Sequence, residues 1–196
     1  MSTQLFINAH IATGMPGSTA AETAAIQDIL VEDGKFISIA PHLKATLEAQ
    51  GKDMASVEVV DLGGKLVCPP FCDTHLHLDY VFTARKPGAV NESGTLFEGI
   101  QRWSETKADL TVDEIKERAK IGIAKEMRHG VQFIRSHADV TDPNLTSLKA
   151  LLELKEELKD TVTLQIVSFP QEGMYSYEGP HGESGADLVE EGLKMG

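Results

Sequence analysis

The sequence predicts an α/β protein: about the first three βα units of a (β/α)8 barrel, over residues 66–196, preceded by a small β-subdomain over residues 1–65. Three observations lead there. Before residue 65 the chain reads as short apolar strands and turns. After it, strand-like and helix-like segments alternate, the pattern of a parallel sheet with right-handed crossovers. A closed barrel takes ~250 residues, and only about half that number follows residue 65, so a partial barrel is expected, ending where a fourth strand would begin.

Within residues 1–65, apolar strands are expected at residues 5–7 and 26–31. The Glu32-Asp33-Gly34-Lys35 turn then leads to a third at residues 36–39. Residues 43–49 suit a short helix, and residues 57–60 a β-branched strand closed by Asp61 and Gly63-Gly64. This subdomain is expected to be built mostly of hairpins. Because Gly63-Gly64 precedes a strand, it is not a phosphate loop.

From residue 66 an apolar strand is expected to run through Pro69-Pro70-Phe71 into Asp73-Thr74-His75-Leu76-His77. Residues 93–107 have helical spacing, with Leu96, Ile100 and Trp103 on one face. Thr111 followed three residues later by Glu114 is a capping box. It opens a helix with Ile115, Ala119, Ile123 and Met127 in one stripe, stopped at Gly130. His129, just before that glycine, suits a helix C-cap. Residues 131–134 form a strand running into Arg135-Ser136-His137-Ala138-Asp139. Asp142-Pro143-Asn144 is expected to start a helix reaching Leu158, and residues 162–169 form a third strand ending at Pro170-Gln171-Glu172-Gly173. Residues 153–159 read as a solvated face of mixed sign, and residues 184–195 as the start of another helix.

Composition bounds the function. Of 196 residues, 41% are apolar and 24% charged, and mean hydropathy is −0.15, which excludes a disordered chain. No apolar run approaches the ~18 residues of a membrane span. The N-terminal MSTQLFINAH lacks the basic and long apolar segments of a secretion signal. Eighteen basic against thirty acidic residues leave a net charge of −12, so neither nucleic acid nor an anionic membrane is an expected partner. Two cysteines cannot build a disulfide framework, and the cytoplasm is the expected compartment. Cys68 and Cys72 lack further ligands at zinc-site spacing and are read as small buried side chains.

The chemistry concentrates at His75 and His77. Side chains two apart on a strand share a face, so both imidazoles project together and can bind one divalent transition metal, with ligands from other strands completing the sphere. A bare H-x-H is a weak signal. Placed after a Gly-rich turn and an apolar strand, and followed by Asp79, it becomes strong, because barrel enzymes keep their active sites at strand C-termini.

Residues 66–79, LVCPPFCDTHLHLD, resemble the first barrel strand of the amidohydrolase superfamily. SGTLFEGI at residues 93–100, RSHADV at 135–140 and LQIVSFPQEG at 164–173 are similar to successive segments of its cytosine deaminase branch. The likeness runs from about residue 5 to the end of the chain and covers only the N-terminal half of the family pattern. It implies metal-dependent barrel hydrolases carrying a small β-subdomain. His75 and His77 would be metal ligands, and one Fe2+ or Zn2+ would be the cofactor. Gln171 would bind the pyrimidine ring, since a carboxamide offers a donor and an acceptor side by side. Leu96 matches a position near the substrate, and fits a packed helix face equally well. His137 and Asp139 repeat an H-x-D one strand later, either lining the barrel mouth and orienting the ligands or lying satisfied in the core. His10, His42 and His181 carry no role. No catalytic proton shuttle is expected within these residues, because the resemblance places it, with the remaining ligands, on later strands.

The implied reaction is hydrolytic deamination of cytosine or a related pyrimidine, with a small nucleobase-like molecule as partner. The chain alone is expected to be inactive, and to self-associate or pair with the rest of its barrel. Hydrolysis of an aminotriazine or another cyclic amide-like substrate is the alternative within the superfamily, and a non-catalytic self-associating fragment the alternative outside it. A binuclear centre with a carboxylated lysine stays open, since that lysine would lie on a fourth strand. His181-Gly182-Glu183 spells H-x-E, but no Pro-Cys-x-x-Cys follows, which excludes the other zinc deaminase design.

Overall fold

The computed structural model describes residues 2–12, 19 and 25–196. They form two compact units, Met1–Pro69 and Pro70–Gly196.

In the first unit β1 (Thr3–Ile11) lies at the centre of a mixed sheet. It pairs antiparallel with β2 (Ile26–Glu32) and parallel with β4 (Val57–Asp61) and β5 (Leu66–Val67). β3 (Lys35–Ala40) pairs with β2 across a turn whose Asp33 and Gly34 both have positive φ, 49° and 75°. That is the backbone an Asp-Gly hairpin turn requires. It is the one tight hairpin among the described strands. The sheet is therefore not mostly hairpins as expected, because α1 (Leu43–Ala49) carries the chain over to a parallel β4. Leu5, Leu30, Leu43 and Val57 form the core of this unit.

The strand expected to run unbroken from Leu66 is divided. Leu66 and Val67 pair with β1, while a separate β6 (Phe71–Leu76) begins the second unit. Pro69 and Pro70 lie between, and neither has an N–H to give to a ladder.

In the second unit β6, β7 (Val131–Asp139) and β8 (Thr163–Phe169) form a parallel sheet in that order. α2 (Leu96–Lys107) and α3 (Val112–Arg128) connect the first pair of strands, α4 (Thr146–Glu157) connects the second, and α5 (Gly185–Lys194) follows β8. The fold is a partial α/β barrel. The ends of these helices are written in the sequence. The Thr111/Glu114 capping box is formed, His129 is the C-cap, and Ser184 with Asp187 makes a second box at α5. Two helices start later than expected. Thr95 caps α2, so residues 93–95 lie outside it. α4 starts at Thr146 because the Asp142 carboxylate accepts the Asn144 and Thr146 N–H groups at 3.0 and 2.9 Å, drawing residues 142–145 into a turn.

One face of the sheet is packed. Ile134, Ser136, Ala138 and Leu164 are buried on it, in a core shared with Ile115, Ile123, Leu148 and Leu151 of the helices. Residues 153–159 are only partly the solvated face expected. Lys116 reaches Glu153 and Glu157, and Lys120 reaches Glu157, which ties α3 to α4. The other face carries Phe133, Arg135, Thr163 and Gln165, all exposed. Cys68 and Cys72 are exposed rather than buried. Cys68 lies in the proline-flanked connection, and Cys72 lines a shallow pocket on that uncovered face. Among the described residues no helix is long and apolar enough to cross a membrane.

Candidate active site

β6 delivers His75 near its end and His77 just past it, and the Asp73 carboxylate accepts the His75 N–H at 3.0 Å. The two rings lie 5.4 Å apart, centroid to centroid. Parallel pairing brings the end of β7 alongside, so the His137 ring stacks on His75 at 4.2 Å and lies 5.7 Å from His77. Three imidazoles thus meet at the strand C-termini.

Hydrogen bonding sets the tautomer of His77. Its Nδ1 is 2.9 Å from the His137 carbonyl oxygen. A carbonyl only accepts, so in the neutral ring Nδ1 carries the proton and Nε2 keeps its lone pair, the arrangement usual for a ligating histidine. Burial is the main cause lowering the pKa of both His77 and His137, which favours neutral rings. His137 Nδ1 is buried without a hydrogen-bond partner. The donor set suits a borderline-soft divalent cation but supplies only part of its coordination sphere. Among the described residues no group of three His, Cys, Asp or Glu side chains is arranged to hold a metal.

A cleft of about 570 Å³ opens in front of the two histidines. His75, His77, Leu96 and Gln171 all line it, so the structure brings the expected ligands and substrate contacts to one place. Leu96 is 73% exposed, which removes the packed-core alternative for it. Asn91, Gly94 and Thr95 contribute from the segment that leads into α2. Tyr80, Trp103 and Phe169 give an aromatic wall, with Tyr80 stacked 4.6 Å from His77 and 4.8 Å from Trp103. Burial, with the Asp79 charge next in size, pushes the Tyr80 phenol up to about 12, so it stays protonated.

His137 and Asp139 take different positions. The His137 carbonyl holds a candidate ligand. The Asp139 carboxylate accepts from Trp103 Nε1 at 2.7 Å, Lys107 Nζ at 3.0 Å, Thr141 N–H at 2.8 Å and the Gln171 N–H at 3.3 Å. Its own N–H donates to Asp79 at 2.8 Å. Asp79 is fully buried, and burial pushes its carboxyl up to about 7. Trp103, Tyr80, Lys107 and Glu172 are the site residues that sequence reasoning missed. Trp103 was correctly placed on an apolar helix face, but its Nε1–H reaches a carboxylate that no local spacing predicts.

A sequence profile of the amidohydrolase family matches residues 58–191. The chain is 38% identical to the 5-methylcytosine deaminase of Klebsiella pneumoniae, whose structure with 5-fluorocytosine it superposes on with a TM-score of 0.78. That match covers 98% of this chain and 41% of the deaminase. It is 30% identical over 159 residues to the N-isopropylammelide isopropyl amidohydrolase of Pseudomonas sp. (strain ADP), covering 79% of this chain and 37% of that enzyme. The pterin deaminase of Rhizobium rhizogenes is 28% identical over 152 residues, covering 75% of this chain and 32% of that protein. The chain belongs to the amidohydrolase family, whose members are generally metal-dependent hydrolases. It spans about two-fifths or less of the length of these relatives.

Proposed function

We propose that this chain supplies the metal-binding and base-binding start of a barrel hydrolase that deaminates cytosine or a closely related pyrimidine. The observation that carries the reading is the convergence of His75, His77 and Gln171 on one aromatic-walled cleft. A bound Fe2+ or Zn2+ would supply the Lewis acidity that makes water nucleophilic near neutral pH. His75 and His77 would hold it, with His77 fixed by the His137 carbonyl. The Gln171 carboxamide would pair with a ring carbonyl and the adjacent N–H, and Tyr80, Trp103 and Phe169 would bracket a flat ring while excluding water. In the reaction the carbon bearing the exocyclic amine gains the oxygen of water, and ammonia leaves with the transferred protons. The remaining ligands and the proton shuttle belong to the strands that complete the barrel, so the chain alone would be inactive. The cytoplasm is the compartment we assign.

The likeness to the N-isopropylammelide hydrolase supports a second reading, an aminotriazine substrate. The test is kcat/KM for cytosine and for N-isopropylammelide, measured on this chain joined to the remaining barrel strands. Gln171→Leu should lower kcat/KM for cytosine a few hundredfold, at about 1–3 kcal/mol for each buried hydrogen bond lost, without changing metal content. His77→Ala should lose the metal. Unchanged cytosine turnover in Gln171→Leu would move the aminotriazine reading ahead. Absence of turnover of both substrates by the metal-loaded protein would leave a self-associating, non-catalytic chain.

A further inference from the structure

Behind the cleft lies a charged cluster that the proposed reaction does not use. Lys107, at the end of α2, is 11% exposed at its side chain, and it contacts Asp139 at 3.0 Å, Thr141 Oγ1 at 2.9 Å and the Glu172 carboxylate. Asp139 is 1% exposed and Glu172 29% at their side chains. Ser104, one turn earlier on α2, donates to Glu172 at 2.6 Å. One cation therefore sits between two carboxylates, one at the end of β7 and one in the turn after β8, with the buried Asp79 bonded to the Asp139 N–H beyond them. A buried carboxylate without a partner is costly, so this cation holds its neighbours in place.

Both carboxylates control the same turn. Asp139 accepts the Gln171 N–H at 3.3 Å, a donor it shares with the Phe169 carbonyl at 3.1 Å, and Glu172 is the next residue along the chain. The far side of the turn is set by other contacts: Ser176 Oγ donates to the Glu172 carbonyl at 2.8 Å, Ala186 N–H donates to the Met174 carbonyl at 2.9 Å, and a Cβ at Gly185 would collide with the Gly173 carbonyl. Gly173 itself has φ +107°, which an L side chain rarely adopts. The turn is thus held between these contacts and the Lys107 cluster, and Gln171 lines the cleft.

We infer that Lys107 is a positioning residue: through Asp139 and Glu172 it fixes the turn at residues 170–173 so that the Gln171 carboxamide faces the two histidines across the cleft. The inference rests on the reading of Gln171 as the base-binding group, but its geometric half stands apart from that reading.

Hydrogen exchange of this chain, followed by mass spectrometry over residues 168–176, separates the two halves. Lys107→Met, which keeps length and removes charge, should speed exchange there by about tenfold or more. Lys107→Arg should stay close to the parent. Exchange in α3 should not change in either. If Lys107→Met fails to fold, Glu172→Gln cuts the other end of the clamp from a more exposed position and should speed the same segment. Unchanged exchange over residues 168–176 in a folded variant overturns the inference. With the barrel completed, Lys107→Met should raise KM for cytosine about tenfold while kcat changes much less, and Lys107→Arg should restore it. Faster exchange together with wild-type kinetics in Gln171→Leu would leave the clamp standing and sink the substrate reading instead. Faster exchange in Lys107→Met with an unmoved KM, while Gln171→Leu is crippled, would show that the clamp does not position the carboxamide.

Discussion

The two faces of the β6-β7-β8 sheet obey different rules. On the helix-covered face Ile134 is 2% exposed, and Ser136 and Ala138 are fully buried. On the opposite face, one residue away, Phe133 is 45% exposed and Arg135 hydrogen-bonds Gln165 at 2.7 Å in the open. Along that open face toward the strand C-termini stand His77, His137 and Phe169, and there the exposure becomes a cleft. The covered face is made by this chain's own helices. The open face forms a cleft only at its C-terminal end, in front of His75 and His77.

The largest consequence of that difference should be assembly. Among the described strands β8 pairs with β7 alone, so its other edge offers unpaired N–H and C=O groups next to an uncovered face. The chain is expected to form oligomers or precipitate in light scattering, and Val167→Lys should shift it toward monomer, since charge on a strand deters edge pairing. A stable monomer at high concentration would break the contrast between the faces.

Stability should divide along the same line. Ile134→Ala removes buried atoms from the helix-packed core and should cost about 2–5 kcal/mol. Phe133→Ala, a larger truncation one residue away, should cost only about 1 kcal/mol because half of its ring already meets water. Urea unfolding of both variants checks this, and equal losses would mean that the open face is covered in solution. An effect smaller than that of Ile134→Ala is expected at Ser136, whose buried Oγ accepts the Leu78 N–H at 3.0 Å just past the histidines. Ser136→Ala leaves that donor unpaired and should cost about 1–3 kcal/mol. Because the same bond fixes where the chain leaves β6, the variant should also bind metal more weakly once the barrel is completed.

The sequence made the covered face legible and the open one only in part. Alternation of strands and helices, the Thr111/Glu114 box and the stripe through Ile115, Ala119 and Ile123 are local patterns, and local patterns fixed α3 and its packing. His75 and His77 were legible because period-two spacing alone puts them on one side. Gln171 and Leu96 were reached through family likeness, and the cleft they share depends on parallel registers such as His137↔Val167 and Asp139↔Phe169. Lys107 stayed hidden because a lysine in the last turn of a helix already has a sufficient explanation in the helix dipole. Its partners lie 32 and 65 residues away in the chain. The exposure of Cys72 was missed for a related reason: a small side chain on a strand is expected to be buried only if something covers that face.

The finest test concerns the segment that frames the mouth of the cleft. Glu98, in the first turn of α2, accepts the N–H groups of Glu92 and Ser93 at 3.1 and 2.7 Å, while its own N–H donates to Thr95 Oγ1 at 3.3 Å. Asn91 bridges to the Thr95 carbonyl and the Gly94 N–H, so residues 91–98 are knitted together by short-range bonds where they line the cleft. The hydrogen bonds from Ser93 and then Glu92, more than the Arg102 guanidinium 3.5 Å away, hold the Glu98 carboxyl at about 2, well below its ordinary 4.5. A carboxyl whose pKa is lower in the folded chain adds stability that is fully present above its unfolded value and is lost as pH falls through the folded one. The Glu92 and Ser93 amides should therefore keep their bonded chemical shifts from pH 7 down through 4.5, and release together near pH 2. Glu98→Gln, which keeps only one acceptor oxygen, should free at least one of them at every pH while leaving the amides of α3 unmoved. A midpoint near 4.5 for Glu98 would mean that the loop is not built around this carboxylate. Leu96 would then stand at the cleft without the fixed backbone that a substrate contact needs.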